Sequence, residues 1–183
     1  MPSSIDEASF SGGRPDALVR RIARAKAADV ASRRPDAVVL AADTIVVLRG
    51  EVLGKPRDAA AARRMLALLR DRAHRVLTAV CLKAPGKRLR VEQAVTRVQL
   101  RPYEQEEVQA WIASGDAFDK AGAYAIQDSA FAPVQSYDGC YCNVMGLPLW
   151  TALAMLRQAG IAPVAGGDMP AACGACPLAA PRV

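Results

Sequence analysis

Between Asp16 and Arg33 apolar or small residues return every three or four positions, at Leu18, Ile22, Ala25 and then Ala28 or Asp29. Arg20, Arg21, Arg24 and Lys26 occupy the other faces. That period predicts an amphipathic helix, closed by Arg34-Pro35-Asp36 because the residue before a proline leaves the α region. From Ala37 the pattern changes. Ala37 to Ala42 is a continuous apolar run, too short for an ordinary helix, and reads as a buried strand. Asp43-Thr44 interrupts it, Ile45 to Leu48 resumes it, and Arg49-Gly50-Glu51 reads as a turn.

Beyond Gly54-Lys55-Pro56, Asp58 is placed to cap a helix reaching about Leu69. Arg75 to Leu82 predicts a strand, Ala84 to Lys87 a hairpin turn, and Leu89 to Leu100 an antiparallel return strand. Tyr103 to Ser114 has helical spacing through Val108, Trp111 and Ile112. Asp116 to Tyr137 is loop-rich, with short strand candidates. Pro148 suits the first turn of a final helix to about Gln158, which Gly160 ends. The order of elements predicts an α/β chain of mixed α+β elements, with a central mixed sheet flanked by helices. Residues 1–160 form the expected domain, and residues 161–183, rich in Ala, Gly and Pro, a mobile tail.

At 183 residues and 52% apolar content the chain is long and greasy enough for one core. No stretch of about 18 uncharged apolar residues occurs, so no membrane span is expected. The first residues lack a basic and apolar signal segment, and the cytoplasm is the expected location. A net charge of +6 favours anionic partners, or serves solubility alone. Aromatics at 5% argue against a stacking surface for nucleic acid, and a small polyanion in a pocket fits better. Five cysteines in such a chain do not suggest a disulfide scaffold. Cys173 and Cys176 stand as a CGAC pair, and Cys140 and Cys142 share a side if extended, but neither pair has an obvious partner set in the sequence. No metal or redox role is assigned to them. His74, the sole histidine, leaves little room for histidine-based chemistry.

Asp43 is the chemical anomaly. A carboxylate inside a buried strand costs several kcal/mol or more unless it is paired, hydrogen-bonded or opened to a cleft. A strand that bulges or ends at Asp43 would satisfy it, as at the strand ends where open sheets place their sites; a bulge carboxylate that merely caps backbone is the plain alternative. Lys55, beside a glycine turn and ahead of a helix, is a plausible phosphate contact, although the segment is not a P-loop. The loop from Asp119 to Gln127 carries two charges, a glycine and an amide, and Gln127 could read a base edge or simply tie down the loop. Glu7 and Lys26 do not stand out by themselves.

Taken in order, these segments resemble the Maf family of nucleoside triphosphate pyrophosphatases. The resemblance rests on Ile5-Asp6-Glu7, Ala23-Arg24-Ala25-Lys26-Ala27, Ala42-Asp43-Thr44-Ile45-Val46 and Gly54-Lys55-Pro56-Arg57-Asp58. It continues through His74-Arg75-Val76-Leu77-Thr78, Asp119 to Gln127, and Val144-Met145-Gly146-Leu147-Pro148-Leu149. It implies the Maf-like fold, shared with inosine triphosphate pyrophosphatases, and hydrolysis of a nucleotide to monophosphate and pyrophosphate with Mg²⁺ or Mn²⁺. It implies that Asp43 accepts the proton of the attacking water and helps hold the metal, with Glu7 as second metal or water contact. Lys26 and Lys55 match lysines facing the triphosphate, and Thr44 and Gln127 positions linked to base selection. The Lys120 to Gln127 form resembles the branch acting on dTTP and UTP. The alternatives are the sister branch acting on 7-methyl-GTP, and a nucleotide-binding, septum-related protein without turnover. A homodimer is implied, with no nucleic-acid or membrane partner.

Family members carry a short apolar strand and a Ser-x-Ser-x-Arg-Arg loop ahead of the Ile5-Asp6-Glu7 match, whereas here four residues precede Ile5. The expectation is that roughly 25 residues of that block are missing, judged from usual element spacing. Their loss would expose a sheet neighbour and remove phosphate donors that lysine does not replace.

Overall fold

The computed structural model describes residues 1–162, 170–174 and 176–179. A 3-10 turn at Glu7–Ser9 leads to helix α1 (Pro15–Arg33), strand β1 (Val39–Leu48) and short strand β2 (Glu51–Leu53). Helix α2 (Ala59–Leu69), strands β3 (Ala73–Lys83) and β4 (Arg90–Leu100) and helix α3 (Gln105–Ser114) follow. After an irregular stretch with a 3-10 turn at Ala121–Ala123 come β5 (Val134–Asp138), α4 (Tyr141–Val144) and α5 (Leu149–Gln158). A last 3-10 turn spans Ala171–Cys173.

The strands form one sheet in the order β2-β1-β3-β4-β5. The expected helix-covered central sheet is present, but the expectation of a mixed sheet is corrected: its four ladders are all antiparallel. For β1–β2 and β3–β4 the short connections require it, since only antiparallel neighbours can be joined by tight turns. Arg49 and Gly50 both take positive φ, 52° and 91°, the conformation that two-residue hairpins between right-twisted strands require. Asp58 caps α2 as expected, its Oδ1 accepting from the Ala61 N–H at 2.6 Å.

Helix α1 covers one face of the sheet. Val19, Ala23 and Ala27 pack on Ile45, Val47, Leu77 and Ala79. The buried stripe therefore lies slightly round from the expected one: Ala25 is half-buried and Ala28 exposed, while Leu18 and Ile22 are buried as read. The alanine-rich helix offers several weakly apolar sides, and close approach selects the one with two alanines facing the sheet. The opposite face carries the larger core. There Val46, Leu48, Val76 and Val98 meet Leu66 and Leu69 of α2, Val108, Trp111 and Ile112 of α3, and Tyr103 and Phe131. Leu66 and Leu69 are fully buried, each contributing about 2–3 kcal/mol on removal from water. Further along the same face, Val80 and Leu82 receive Ala152 and Met155 of α5.

One ladder is incomplete in a way that matters. β1 pairs with β3 from Val39 to Val47, but with β2 only from Val46 to Leu48. Among the described residues, the stretch from Val39 to Ile45 therefore has a hydrogen-bonded neighbour on one side only. The expected bulge or strand end at Asp43 is corrected: Asp43 sits in regular register opposite Ala79. The stretch read as a mobile tail lies partly outside the described residues; its described parts carry Cys173 and Cys176, both buried.

Candidate active site

A cavity of ≈550 Å³ opens along that one-sided stretch of β1. Successive strand residues point to opposite faces, so Asp43 faces α1 while Thr44 faces α4. The cavity touches both side chains. Among the described residues, no neighbouring strand seals the edge between the two faces there.

On the α1 side, Lys26 Nζ stands 2.7 Å from Asp43 Oδ1 and 2.8 Å from Glu7 Oε1. Asp43 is only 6% exposed, and its second oxygen, Oδ2, is buried without a hydrogen-bond partner. Burial pushes the Asp43 carboxyl above the ordinary range; Lys26 pulls it back, Glu7 raises it further and Lys55 lowers it. For Lys26, burial acts to lower its pKa, and the two carboxylates outweigh that and raise it. Lys26 therefore stays charged between two acids and holds Asp43 Oδ1 in place.

Glu7 reaches this position through its own segment. Asp6 caps the short turn by accepting from the Ala8 N–H at 3.0 Å. Upstream, Asp29 of α1 accepts from the Ser3 hydroxyl at 2.9 Å, the Ser4 N–H at 2.9 Å and the Ser4 hydroxyl at 3.0 Å. Arg33 completes the clamp. The Ser4 N–H and these neighbours hold the Asp29 carboxyl down at about 2. A one-turn segment with few apolar contacts is thus moored to α1 by polar groups.

On the other face, Thr78 Oγ1 donates to the Asn143 carbonyl at 2.8 Å and lies 2.8 Å from Thr44 Oγ1. Thr78 has one hydroxyl proton, so Thr44 must donate to Thr78, leaving its own lone pairs free. Asn143 is fully buried, with its Nδ2 donating to the Val76 carbonyl at 3.0 Å and Thr96 Oγ1 at 2.9 Å. These bonds fix Val144, Met145 and Gly146 as the cavity wall.

The third wall comes from two loops that hold each other. The Gly122 N–H donates to the Gly54 carbonyl at 3.0 Å, next to Lys55. Gly122 has φ +72°, and a Cβ there would stand 3.1 Å from Val46 Cγ2 and 3.3 Å from Leu69 Cδ1. Glycine is required both by its backbone and by the close approach.

A match to the family described as Maf-like protein extends over residues 1–159. The chain belongs to the Maf-like family. A dTTP/UTP pyrophosphatase of Thermomicrobium roseum is 50% identical over 186 residues, covering 100% of this chain and 84% of its own length. A dTTP/UTP pyrophosphatase of Syntrophomonas wolfei is 45% identical over 161 residues, covering 87% of this chain and 85% of its own length. One from Anaeromyxobacter (strain Fw109-5) is 49% identical over 163 residues, covering 87% and 78%.

Of the residues that the Maf resemblance singled out, Glu7, Lys26, Asp43, Thr44 and Lys55 all line the cavity. Gln127 does not: it is exposed and outside the lining. The turn at Gly122 sends Tyr124 and Ala125 inward, and the chain has surfaced again by Gln127. Asp119 and Lys120 line the cavity, although only their charge was noticeable in the sequence. Asp29, Thr78 and Asn143 were missed. Their types are common at surfaces and turns, and only burial and partners set them apart. His74 is buried away from the chemistry, its Nε2 bonded to Tyr124 Oη at 2.7 Å.

Among the described residues, no group of three or more His, Cys, Asp or Glu side chains is arranged to hold a metal ion by itself. Asp43 and Glu7 nonetheless suit a hard divalent cation whose remaining ligands are phosphate oxygens and water. The unpartnered Oδ2 of Asp43 is the observation that fits this role. Three lysines and three carboxylates line the cavity, so their formal charges cancel; a triphosphate would need a cation to accompany it. Among the described residues, no helix is long and apolar enough to cross a membrane.

Proposed function

We propose that this chain binds dTTP or UTP in the cavity beside Asp43 and hydrolyses it to the nucleoside monophosphate and pyrophosphate. The observation that carries the reading is the buried Asp43 carboxylate beside the cavity, one oxygen held by Lys26 and the other without a hydrogen-bond partner. The names printed for its relatives point to the same reaction.

In this reading the Asp43 carboxylate takes the proton of a water aimed at the α-phosphorus. Its raised affinity for a proton brings it closer to the working pH of a general base. Asp43 and Glu7 are the groups that would hold Mg²⁺ or Mn²⁺, which when bound supplies charge neutralisation for phosphoryl oxygens. Lys55 and Lys120 steady the phosphates, and Lys26 keeps the two carboxylates apart and oriented. Thr44, with free lone pairs, accepts from a pyrimidine N3–H, a donor that thymine and uracil share. Gln127, expected to assist base selection, keeps that role only if its loop closes over the base. Nothing in the site calls for a covalent nucleophile. The chemistry is that of a soluble nucleotide hydrolase of the cytoplasm, and a homodimer is the expected assembly.

Incubation with dTTP, UTP and 7-methyl-GTP plus Mn²⁺, followed by a pyrophosphate assay, tests the proposal. The expected result is turnover of the two pyrimidine nucleotides, with Asp43→Asn lowering kcat by about 10²–10⁴-fold. Undiminished activity in Asp43→Asn would sink the assignment. Preference for 7-methyl-GTP would move the chain to the sister branch, and binding without turnover would favour the regulatory alternative.

A further inference from the structure

Two cysteine pairs that had no partner in the sequence meet in the fold. Cys140 and Cys142 flank the start of α4, while Cys173 ends the last 3-10 turn and Cys176 follows it. All four are buried in one cluster, edged by Tyr141, Leu149, Trp150 and Leu178. None is in a disulfide. We propose that Cys140, Cys142, Cys173 and Cys176 form a tetrathiolate site for one soft divalent metal ion, zinc by chemistry, that fastens the C-terminal segment to the wall of the cleft.

The four thiols are buried together in one cluster, and none is tied up in a disulfide. Pairs of cysteines from separate elements are how tetrahedral zinc is commonly gathered, C-x-x-C being a typical spacing, with Zn–S of about 2.3 Å. The second pair lies on a turn: the Cys176 N–H donates to the Cys173 carbonyl at 3.3 Å, and Cys173 N–H to the Pro170 carbonyl at 2.7 Å. Trp150 Nε1 on α5 donates to the Cys173 carbonyl at 3.1 Å, which docks the turn on the domain.

The clustered thiols are not yet arranged to hold an ion. Metal entry draws them into four Zn–S bonds, and the four thiol protons leave to solvent. No oxidant is involved. A soft tetrathiolate set discriminates against Mg²⁺ and other hard ions, which keeps this site chemically separate from the carboxylates of the cleft.

The site also has a structural purpose. Residues 161–183 offer few large side chains with which to bury a core of their own, and metal binding supplies folding free energy where apolar burial is scarce. Asn143, whose carbonyl accepts from Thr78 behind Thr44, follows Cys142 directly. A metal knot at Cys140 and Cys142 would hold that wall still.

The test uses the full chain, purified under reducing conditions. Metal analysis is expected to give one zinc per chain, released by mercurial titration of four thiols. Cobalt added to the stripped chain is expected to saturate at one equivalent. It should show a thiolate-to-cobalt charge-transfer band and tetrahedral d–d bands, neither of which a carboxylate site produces. Cys81→Ser should keep the full cobalt spectrum, and Cys173→Ser or Cys176→Ser should lose or shift it. The cobalt titration of the unsubstituted chain stands even where a variant folds poorly. Five free thiols with no cobalt charge-transfer band would overturn the proposal, and so would two disulfides with one remaining thiol. Both results are independent of whether the cleft hydrolyses dTTP or UTP.

Discussion

The two halves of β1 look alike in composition and behave differently. From Ile45 to Leu48 every residue is buried, and at Val46 and Val47 the strand is paired on both sides. From Val39 to Thr44 the strand is paired on one side, and its residues range from buried to exposed. The closed half is core. The open half is where the strand holds a carboxylate, and there the cavity touches side chains from both of its faces.

The largest effect that would sharpen this contrast comes from His74, on β3 beside the end of the closed half. Burial drops His74 to about 4 from an ordinary 6.5. The unfolded chain therefore takes up a proton before the folded one does. This contribution to stability is fully present above pH 6.5 and is lost as pH falls toward 4. The full span is at most about 3 kcal/mol. Urea melts between pH 7 and 4 should show this acid-side loss, and His74→Gln should flatten it. A wild-type curve that is flat over that window would contradict a buried neutral histidine.

Next comes a direct comparison of the halves. Val46→Ala, in the closed half and packed against Gly122, should cost about 2–3 kcal/mol through lost burial and a cavity. Leu40→Ala, in the open half and 36% exposed, should cost under about 1 kcal/mol. Equal losses in thermal or urea melts would mean that the open edge is covered in solution.

The smallest effect on global stability is expected from Asp29→Ala, which removes the clamp on residues 3 and 4. Its readout is local: faster amide exchange from Ser4 to Ser9 and a raised KM as Glu7 loses its seat. Because the Asp29 carboxyl is held at about 2 against an ordinary 3.8, the clamp is intact above pH 3.8. It fails as pH falls through about 2. Unchanged exchange in the variant would show that the segment is held by something else.

Much of this was legible in the chain. The helices α2, α3 and α5 and the strands β3 and β4 fall within a few residues of their periodic patterns, since local burial sets local period. Asp58, Pro148 and Arg49-Gly50 mark element ends through their own backbone chemistry, and each does so in the structure. Asp43 announced itself by interrupting an apolar run. Its setting did not: the expected bulge is absent, and the carboxylate is satisfied by a lysine from another element. The α1 stripe was misplaced because alanines carry little directional signal. Asp29 and Asn143 gave no local sign of their roles, because a hydrogen-bond partner many positions away leaves no periodicity.

The sequence by itself determined the elements, the turns between them, the family, and which polar side chains are unusual where they stand. Tertiary structure decided that β1 has an open edge, that side chains from its two faces share one cavity, and that Gln127 points elsewhere. It also decided that two cysteine pairs some 30 residues apart in the chain become one cluster. The reason is common to all four. Propensity, capping and patterning act over a few residues, whereas an edge, a cavity or a ligand set exists only once distant segments have paired.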